Sequence, residues 1–525
     1  MAICRGFKMR ALFFAPPVLV MCLLATVTGC VAADPKENGS GVILTARASN
    51  ADVGKSAKPV GSTRAAVIDR IARSALQTMS VSDDPIALVL SAKYVRDANV
   101  KDDEKRREAQ KDDLQLVALG RAKQLADKKN SGFVDFQIAM LCLALPGKSA
   151  CSSDDAVGAG DAVRAFAQQE LWPHAARWDK EHTFPKDVHK GLAELGAYGI
   201  CVPEEFGGAN LDYLTLALVL EEIAAGDGGV STTIGVTNCP VNAILLQYGT
   251  PAQKKQWLTP LARGEMLGAF CLTEPHVGSD ASALKTTATK DADGYVINGV
   301  KQFITSGKNG DVAIVIAVTD KAAGKKGMSA FIVPTRSPGY SADRLEDKLG
   351  QHSSDTAQIN FDNCRIPLDN LIGAEGEGYR IALSALEGGR IGIAAQSIGM
   401  ARSAFEFALA YAKDRQSFGT AIFNHQAVGF RLADCATQLE AARQLTWHAA
   451  SMRDAGLPCL KEAAMAKLFA SEMAEQVCSA AIQTLGGYGY VSDFPVERIY
   501  RDVRVCQIYE GTSDVQKIII QRALA

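Results

Sequence analysis

Five short segments concentrate residue types that can do chemistry. Tyr509-Glu-Gly-Thr-Ser513 sets one carboxylate, Glu510, beside a glycine and two hydroxyls able to cap a following helix, whose exposed N–H groups favour an anion. A carboxylate aimed at a weakly acidic proton can act as a general base, whereas the same residue in an ordinary loop meets solvent. Phe270-Cys-Leu-Thr-Glu-Pro-His-Val-Gly-Ser-Asp280 mixes hydroxylated residues with Gly and Pro; it either offers donors to a flat heteroaromatic ring or shapes a loop. In Lys301-Gln-Phe-Ile-Thr-Ser306, Phe303 and Thr305 stand two apart and share one strand face, which suits stacking plus a hydrogen bond, or core packing. Asp414-Arg-Gln-Ser-Phe-Gly419 joins Arg415 to a glycine turn and can hold a pyrophosphate or close a helix. The glycines of Gln483-Thr-Leu-Gly-Gly-Tyr-Gly489 permit close backbone approach.

The composition narrows the setting. With 525 residues, 47% hydrophobic and 22% charged, the chain can bury several cores and divide into three or four domains. A formal net charge of −2 gives no footprint for nucleic acid. The 13 cysteines include no C-x-x-C pair, and the seven histidines place no two on one helical face, so no metal site is expected. Cys201, Cys271, Cys364 and Cys478 lie in apolar stretches and read as buried thiols. No G-x-G-x-x-G follows a strand, so the usual dinucleotide-binding fold is not supported.

The elements that must position these residues follow from periodicity. Apolar residues three or four apart (Val163, Phe166, Ala167, Leu171), then Tyr213 to Ala225 and Val241 to Tyr248, predict an all-helical unit over 154–269. Between 270 and 375 the period shortens. Asp291-Ala-Asp293-Gly294 and Asn298-Gly299 signal two tight turns in quick succession, and Val312 to Val318, Phe331 to Val333 and Ile359 to Phe361 read as strands. From 376 to 525, seams such as Ile391, Ala394, Ile398, Ala401, Phe405 and Ala408 predict four long helices in an antiparallel bundle. The fold class expected is therefore α+β and multidomain: an N-terminal helical domain, a middle β domain and a C-terminal four-helix bundle.

Taken in order, C-L-T-E-P-x-x-G-S-D, Q-F-I-T-S-G, D-R-Q-S-F-G, Q-T-L-G-G-Y-G-Y and I-Y-E-G-T-S resemble the acyl-CoA dehydrogenase family over about residues 160 to 525. The resemblance implies FAD as cofactor, an acyl-CoA substrate converted to the trans-2-enoyl-CoA, electron-transferring flavoprotein as partner, and a homotetramer. It assigns Glu510 as the base that takes the α-proton while hydride passes to flavin N5. Phe270, Leu272 and Thr273 would bond the flavin pyrimidine edge, Phe303 would lie against the ring, and Thr305 would reach N5. Arg415, Phe418, Gln483 and Gly487 match contacts to the adenosine and pyrophosphate half, often donated by a neighbouring subunit. Thr512 and Asp514 would close the flavin site, and Ser279, Arg390 and Gly511 would face the substrate.

Departures from the family pattern also carry information. Long-chain and isovaleryl-type relatives carry their base directly before the arginine matching Arg390; Gly389 stands there, which favours Glu510. Leu386 to Ala394 leans toward short- and branched-chain members. Phe303 replaces a frequent tryptophan, and His352 a frequent arginine.

The N-terminus fits this poorly. Arg5, Lys8 and Arg10 precede an apolar run from Ala11 to Val27, and Val27-Thr28-Gly29-Cys30 resembles a bacterial lipoprotein signal over 1–30. Residues 31–153 read as a polar, partly helical or disordered extension. A cytoplasmic enzyme is the expectation; a lipoprotein anchored to a membrane through Cys30, with a non-catalytic dehydrogenase-like module, is the alternative from another class. Among enzymes, an acyl-CoA oxidase is the runner-up.

Overall fold

The computed structural model describes residues 153–525. The signal-like segment 1–30 and the extension 31–153 lie outside the described residues, Ser153 excepted, since it opens the first helix.

Helices α1 (Ser153–Phe166), α2 (Trp172–Glu181), α3 (Lys186–Glu194), α4 (Tyr213–Gly226), α5 (Gly228–Val236) and α6 (Ala243–Tyr248) precede the sheet. Among these, α4 is apolar nearly all round, so it must be covered on several sides. It is covered by the C-terminal helices: Leu216, Leu220 and Ile223 of α4 share one core with Ile391, Ile398, Leu439 and Ala470. The helical unit expected over 154–269 shares its interior with the bundle. Charged groups fix the same contact. Arg402 reaches Glu221 at 3.1 Å and Glu222 at 2.7 Å, and the Asp454 carboxylate accepts the Tyr213 and Leu214 N–H groups at 2.8 and 3.1 Å, capping α4 from another domain.

The middle sheet comprises β1 (Gly268–Cys271), β2 (Thr287–Lys290), β3 (Gly294–Thr305), β4 (Val312–Val318), β5 (Met328–Pro334), β6 (Tyr340–Leu345), β7 (Thr356–Pro367) and β8 (Leu371–Ile372). Its order is β6-β7-β3-β2-β4-β5-β8, with β1 parallel to β4. The unbroken apolar run of β4 is explained by cover on both faces. Val312, Ile314 and Ile316 meet Val241, Ile244 and Ile381 on the helical side, while Ala313, Val315 and Ala317 meet Tyr295, Phe331 and Ile359 on the other. The first expected turn, Asp291 to Gly294, does join β2 to β3. The second does not exist: Asn298-Gly299 lies inside β3, at a shift in its register against β7. An Asn-Gly pair serves a bulge as well as a turn, and here a Cβ on Gly299 would stand 2.7 Å from Thr286 Cα, so close strand approach is what requires the glycine.

After the sheet come α7 (Gly378–Asp414), α8 (Gln426–Asp454), α9 (Leu460–Leu485), α10 (Pro495–Val503) and α11 (Ser513–Leu524). Of the four long helices expected, α7, α8 and α9 run 37, 29 and 26 residues, while α11 has 12; between α9 and α11 lies the short α10, which the sequence reading passed over. Among the described residues, no helix is long and apolar enough to cross a membrane.

Candidate active site

Glu510 lies between α10 and α11, where Glu510 and Gly511 take successive left-handed conformations, φ 53° and 89°. That backbone is strained for a glutamate and needs support. Gln516, fully buried one turn into α11, donates its amide to the Glu510 carbonyl at 3.2 Å and the Gly511 carbonyl at 2.8 Å. Lys467 Nζ reaches the same Gly511 carbonyl at 2.7 Å from α9. The Thr512 hydroxyl then accepts the Val515 N–H at 3.3 Å and starts α11.

The carboxyl itself is left free. Glu510 is part-buried as a residue, yet its Oε2 is sealed from solvent without a hydrogen-bond partner. A Cβ on Gly389 would stand 2.8 Å from that oxygen, so only glycine lets α7 pass so close. Burial pushes the Glu510 carboxyl up to about 7, against the opposing pull of Arg390 and Lys467. Arg390, also buried, donates Nε to Gln516 Oε1 at 3.1 Å and leaves Nη1 unpartnered. Burial lowers its pKa, with Glu510 opposing. A buried carboxylate oxygen and a buried guanidinium nitrogen that both lack a hydrogen-bond partner are costly in a fold and suit a site that receives a ligand. The neighbouring Gly388 is tightly packed too: a Cβ there would stand 2.9 Å from the Tyr213 hydroxyl and 3.1 Å from Cys239 Sγ.

A second group forms where β1 meets β3. Gln302 N–H donates to the Thr273 carbonyl at 2.9 Å, and buried Lys301 donates Nζ to the Leu272 carbonyl at 2.9 Å and to Glu274 at 3.0 Å. Burial would raise the Glu274 carboxyl, but Lys301 and two backbone N–H groups hold it below the usual carboxylate range. Phe270 on β1, with Leu272 and Thr273 just past its end, is thereby tied to β3, which carries Phe303 and Thr305. Phe303 is 63% exposed on left-handed backbone (φ 59°), an aromatic ring presented outward at the cost of strain.

The third group is superficial. Arg415 caps α7 and lies 5.9 Å from the Tyr488 ring, which joins it to the Gly487 turn; Phe418 is 95% exposed, and Gln483 is exposed on α9. Ser279 and Asp514 are surface residues, Asp514 on the first turn of α11. Hydroxyls at Thr273 and Thr305, an outward ring at Phe303 and an exposed arginine fit a flavin dinucleotide's flat rings and its pyrophosphate.

Sequence reasoning passed over Lys467 and Gln516. The former had a signal: it falls between Ala463 and Ala470, on the apolar face of α9, where a charge is out of place. The sequence reading also foresaw no cluster of metal-binding side chains, yet His182, Asp347 and His352 bring their donor atoms within 4.8 Å of one another. Both ring nitrogens of His352 already face acceptors, Asp179 Oδ1 at 2.7 Å and the Lys348 carbonyl at 2.6 Å, and its ring stacks on His182 at 3.9 Å. Through these contacts His352 ties α2 to the loop before β7.

The order of helical unit, sheet and bundle, with a sealed carboxylate at Glu510, is matched domain by domain by an enzyme family. Family models for the N-terminal, middle and C-terminal domains of acyl-CoA dehydrogenase match residues 153–265, 269–364 and 376–525. The chain belongs to the acyl-CoA dehydrogenase family and is an oxidoreductase of that class. It is 47% identical to the human mitochondrial short-chain specific acyl-CoA dehydrogenase over 68% of this chain and 87% of that protein. To an acyl-CoA dehydrogenase of Bacillus subtilis it is 45% identical, over 69% of this chain and 96% of the relative. The solved butyryl-CoA dehydrogenase of Megasphaera elsdenii superposes with TM-score 0.69 at 40% identity, covering 70% of this chain and 97% of the other.

Proposed function

We propose that the chain carries out α,β-dehydrogenation of a short acyl-CoA thioester, with Glu510 removing the α-proton. The observation that carries this reading is the Glu510 carboxyl, sealed, unpaired at Oε2 and pushed up to about 7. A base with a pKa near the working pH combines a useful ionised fraction with the greatest proton affinity. An α-proton beside a thioester is weakly acidic, so the developing enolate needs donors aimed at its oxygen; the Glu510 N–H serves that role in this reading. Arg390 and Lys467 oppose the effect of burial and keep the carboxylate available at neutral pH.

FAD would be held by Thr273, Thr305 and the backbone of Phe270 to Leu272, with Phe303 against its rings and Arg415, Phe418, Gln483 and Gly487 receiving its other half in a homotetramer. When bound, FAD supplies the two-electron acceptor for hydride leaving the β carbon. The rigid Lys301–Glu274 tether holds those hydroxyls and carbonyls in place; Thr512 and Asp514 close the far side, and Ser279 and Gly511 line the thioester's path. A short acyl chain is favoured by the substrates in the names of the human and Megasphaera relatives. Electron-transferring flavoprotein is the acceptor in this reading. Anaerobic titration with acyl-CoAs of increasing length tests it. Flavin bleaching should be fastest with short chains, and steady turnover should need a dye or the flavoprotein; rapid turnover on oxygen alone would make the chain an oxidase.

A further inference from the structure

Lys467 is the most unusual charge in the bundle. It sits mid-helix in α9 among Ala463, Ala464, Ala466 and Ala470, and is fully buried. Burying an ammonium is costly unless it is paired or put to use. Here it engages a backbone carbonyl, that of Gly511, at 2.7 Å. That carbonyl belongs to the second of the two left-handed residues that aim Glu510, and it also receives Gln516 at 2.8 Å. Two buried donors from two helices thus converge on one oxygen, directly after the carboxylate.

We propose that Lys467 is a positioning residue for Glu510: by anchoring the Gly511 carbonyl it fixes the turn that holds the carboxylate against Gly389. The proposal rests on the reading of Glu510 as the base. Its charge adds to its geometry. The groups that act on Glu510 are Arg390 from α7 and Lys467 from α9, both favouring the carboxylate, with the buried thiol of Cys239 from the segment before α6 coupled more weakly. Burial lowers the Lys467 ammonium to about 8, so it is still mostly charged at neutral pH. Without it, Glu510 keeps its burial and loses one of two cations, so its pKa must rise and a smaller fraction is ionised at pH 7.

The test compares Lys467→Met, Lys467→Arg and Glu510→Gln as FAD-loaded proteins with butyryl-CoA. For Lys467→Met the expected result is a kcat lower by roughly 10- to 100-fold, the order expected for a misplaced catalytic group. KM and the urea midpoint should change little, and the acidic limb of kcat/KM should move to higher pH. Lys467→Arg should return the limb toward the parental position. Should Lys467→Met not fold, Lys467→Gln, which retains an amide donor, carries the same limb measurement. The proposal is overturned if the neutral variant keeps the parental kcat and limb, or if it loses stability and activity together with the limb unmoved. If instead Glu510→Gln turns over at the parental rate, it is the base assignment that fails.

Discussion

Replacing Glu510 by Gln removes an ionisable carboxyl from a sealed site while keeping its shape, and the effect on stability should depend on pH. Burial moves the carboxyl from its ordinary 4.5 to about 7 in the folded chain. At about 1.4 kcal/mol per pH unit, ionising Glu510 costs the fold at most about 3 kcal/mol. The sign follows from the direction of the shift. A carboxyl with a raised folded pKa favours the fold fully below its unfolded pKa, and that contribution is lost as pH rises through about 7. Glu510→Gln behaves like the protonated form at every pH. Its urea midpoint should therefore match the parent near pH 4 and exceed it near pH 8, at fixed protein and FAD concentrations and with the same m value. A gain in stability on removing a charged side chain is the mark of a site kept for chemistry. A difference that does not vary with pH, or a variant less stable than the parent at pH 8, would refute the reasoning.

Other consequences are equally direct. The acidic limb of kcat/KM should fall near pH 7, where Glu510 titrates, and a limb near 4.5 would mean that the carboxyl is solvated. Gly389→Ala puts a methyl 2.8 Å from Glu510 Oε2 and should lower kcat roughly 10- to 100-fold while FAD content stays parental; unchanged turnover would show that the carboxylate is not confined there. Lys301→Met strands the buried Glu274 and should cost about 3–5 kcal/mol in urea unfolding. The same change frees the segment after β1 that carries Leu272 and Thr273, so FAD should be lost more readily on dialysis; full FAD retention would separate that tether from the cofactor.

Much of this could be read along the chain because the determinants are local. The helices show their seams, the apolar run of β4 shows a strand covered twice, and the glycine directly after Glu510 shows backbone that must bend sharply. What escaped was decided by distant pairing. Asn298-Gly299 reads equally as turn or bulge until β7 is beside it. The burial of α4 by the bundle depends on Glu221 and Glu222 meeting Arg402, some 180 residues away. Lys467 and Gln516 reach the Glu510 turn from two different helices, and no spacing in the sequence announces that meeting. The carboxylate was visible as a candidate, but its isolation was not, since a missing partner is a property of the packed interior.

The central claim is that Glu510 takes the α-proton. Mixing the FAD-loaded parent and Glu510→Gln with butyryl-CoA under anaerobic conditions, and following the flavin absorbance in a stopped-flow instrument, measures that step alone. The variant should retain FAD and bind thioester yet bleach slower by several orders of magnitude, as loss of a positioned base requires. Bleaching at the parental rate would contradict the account.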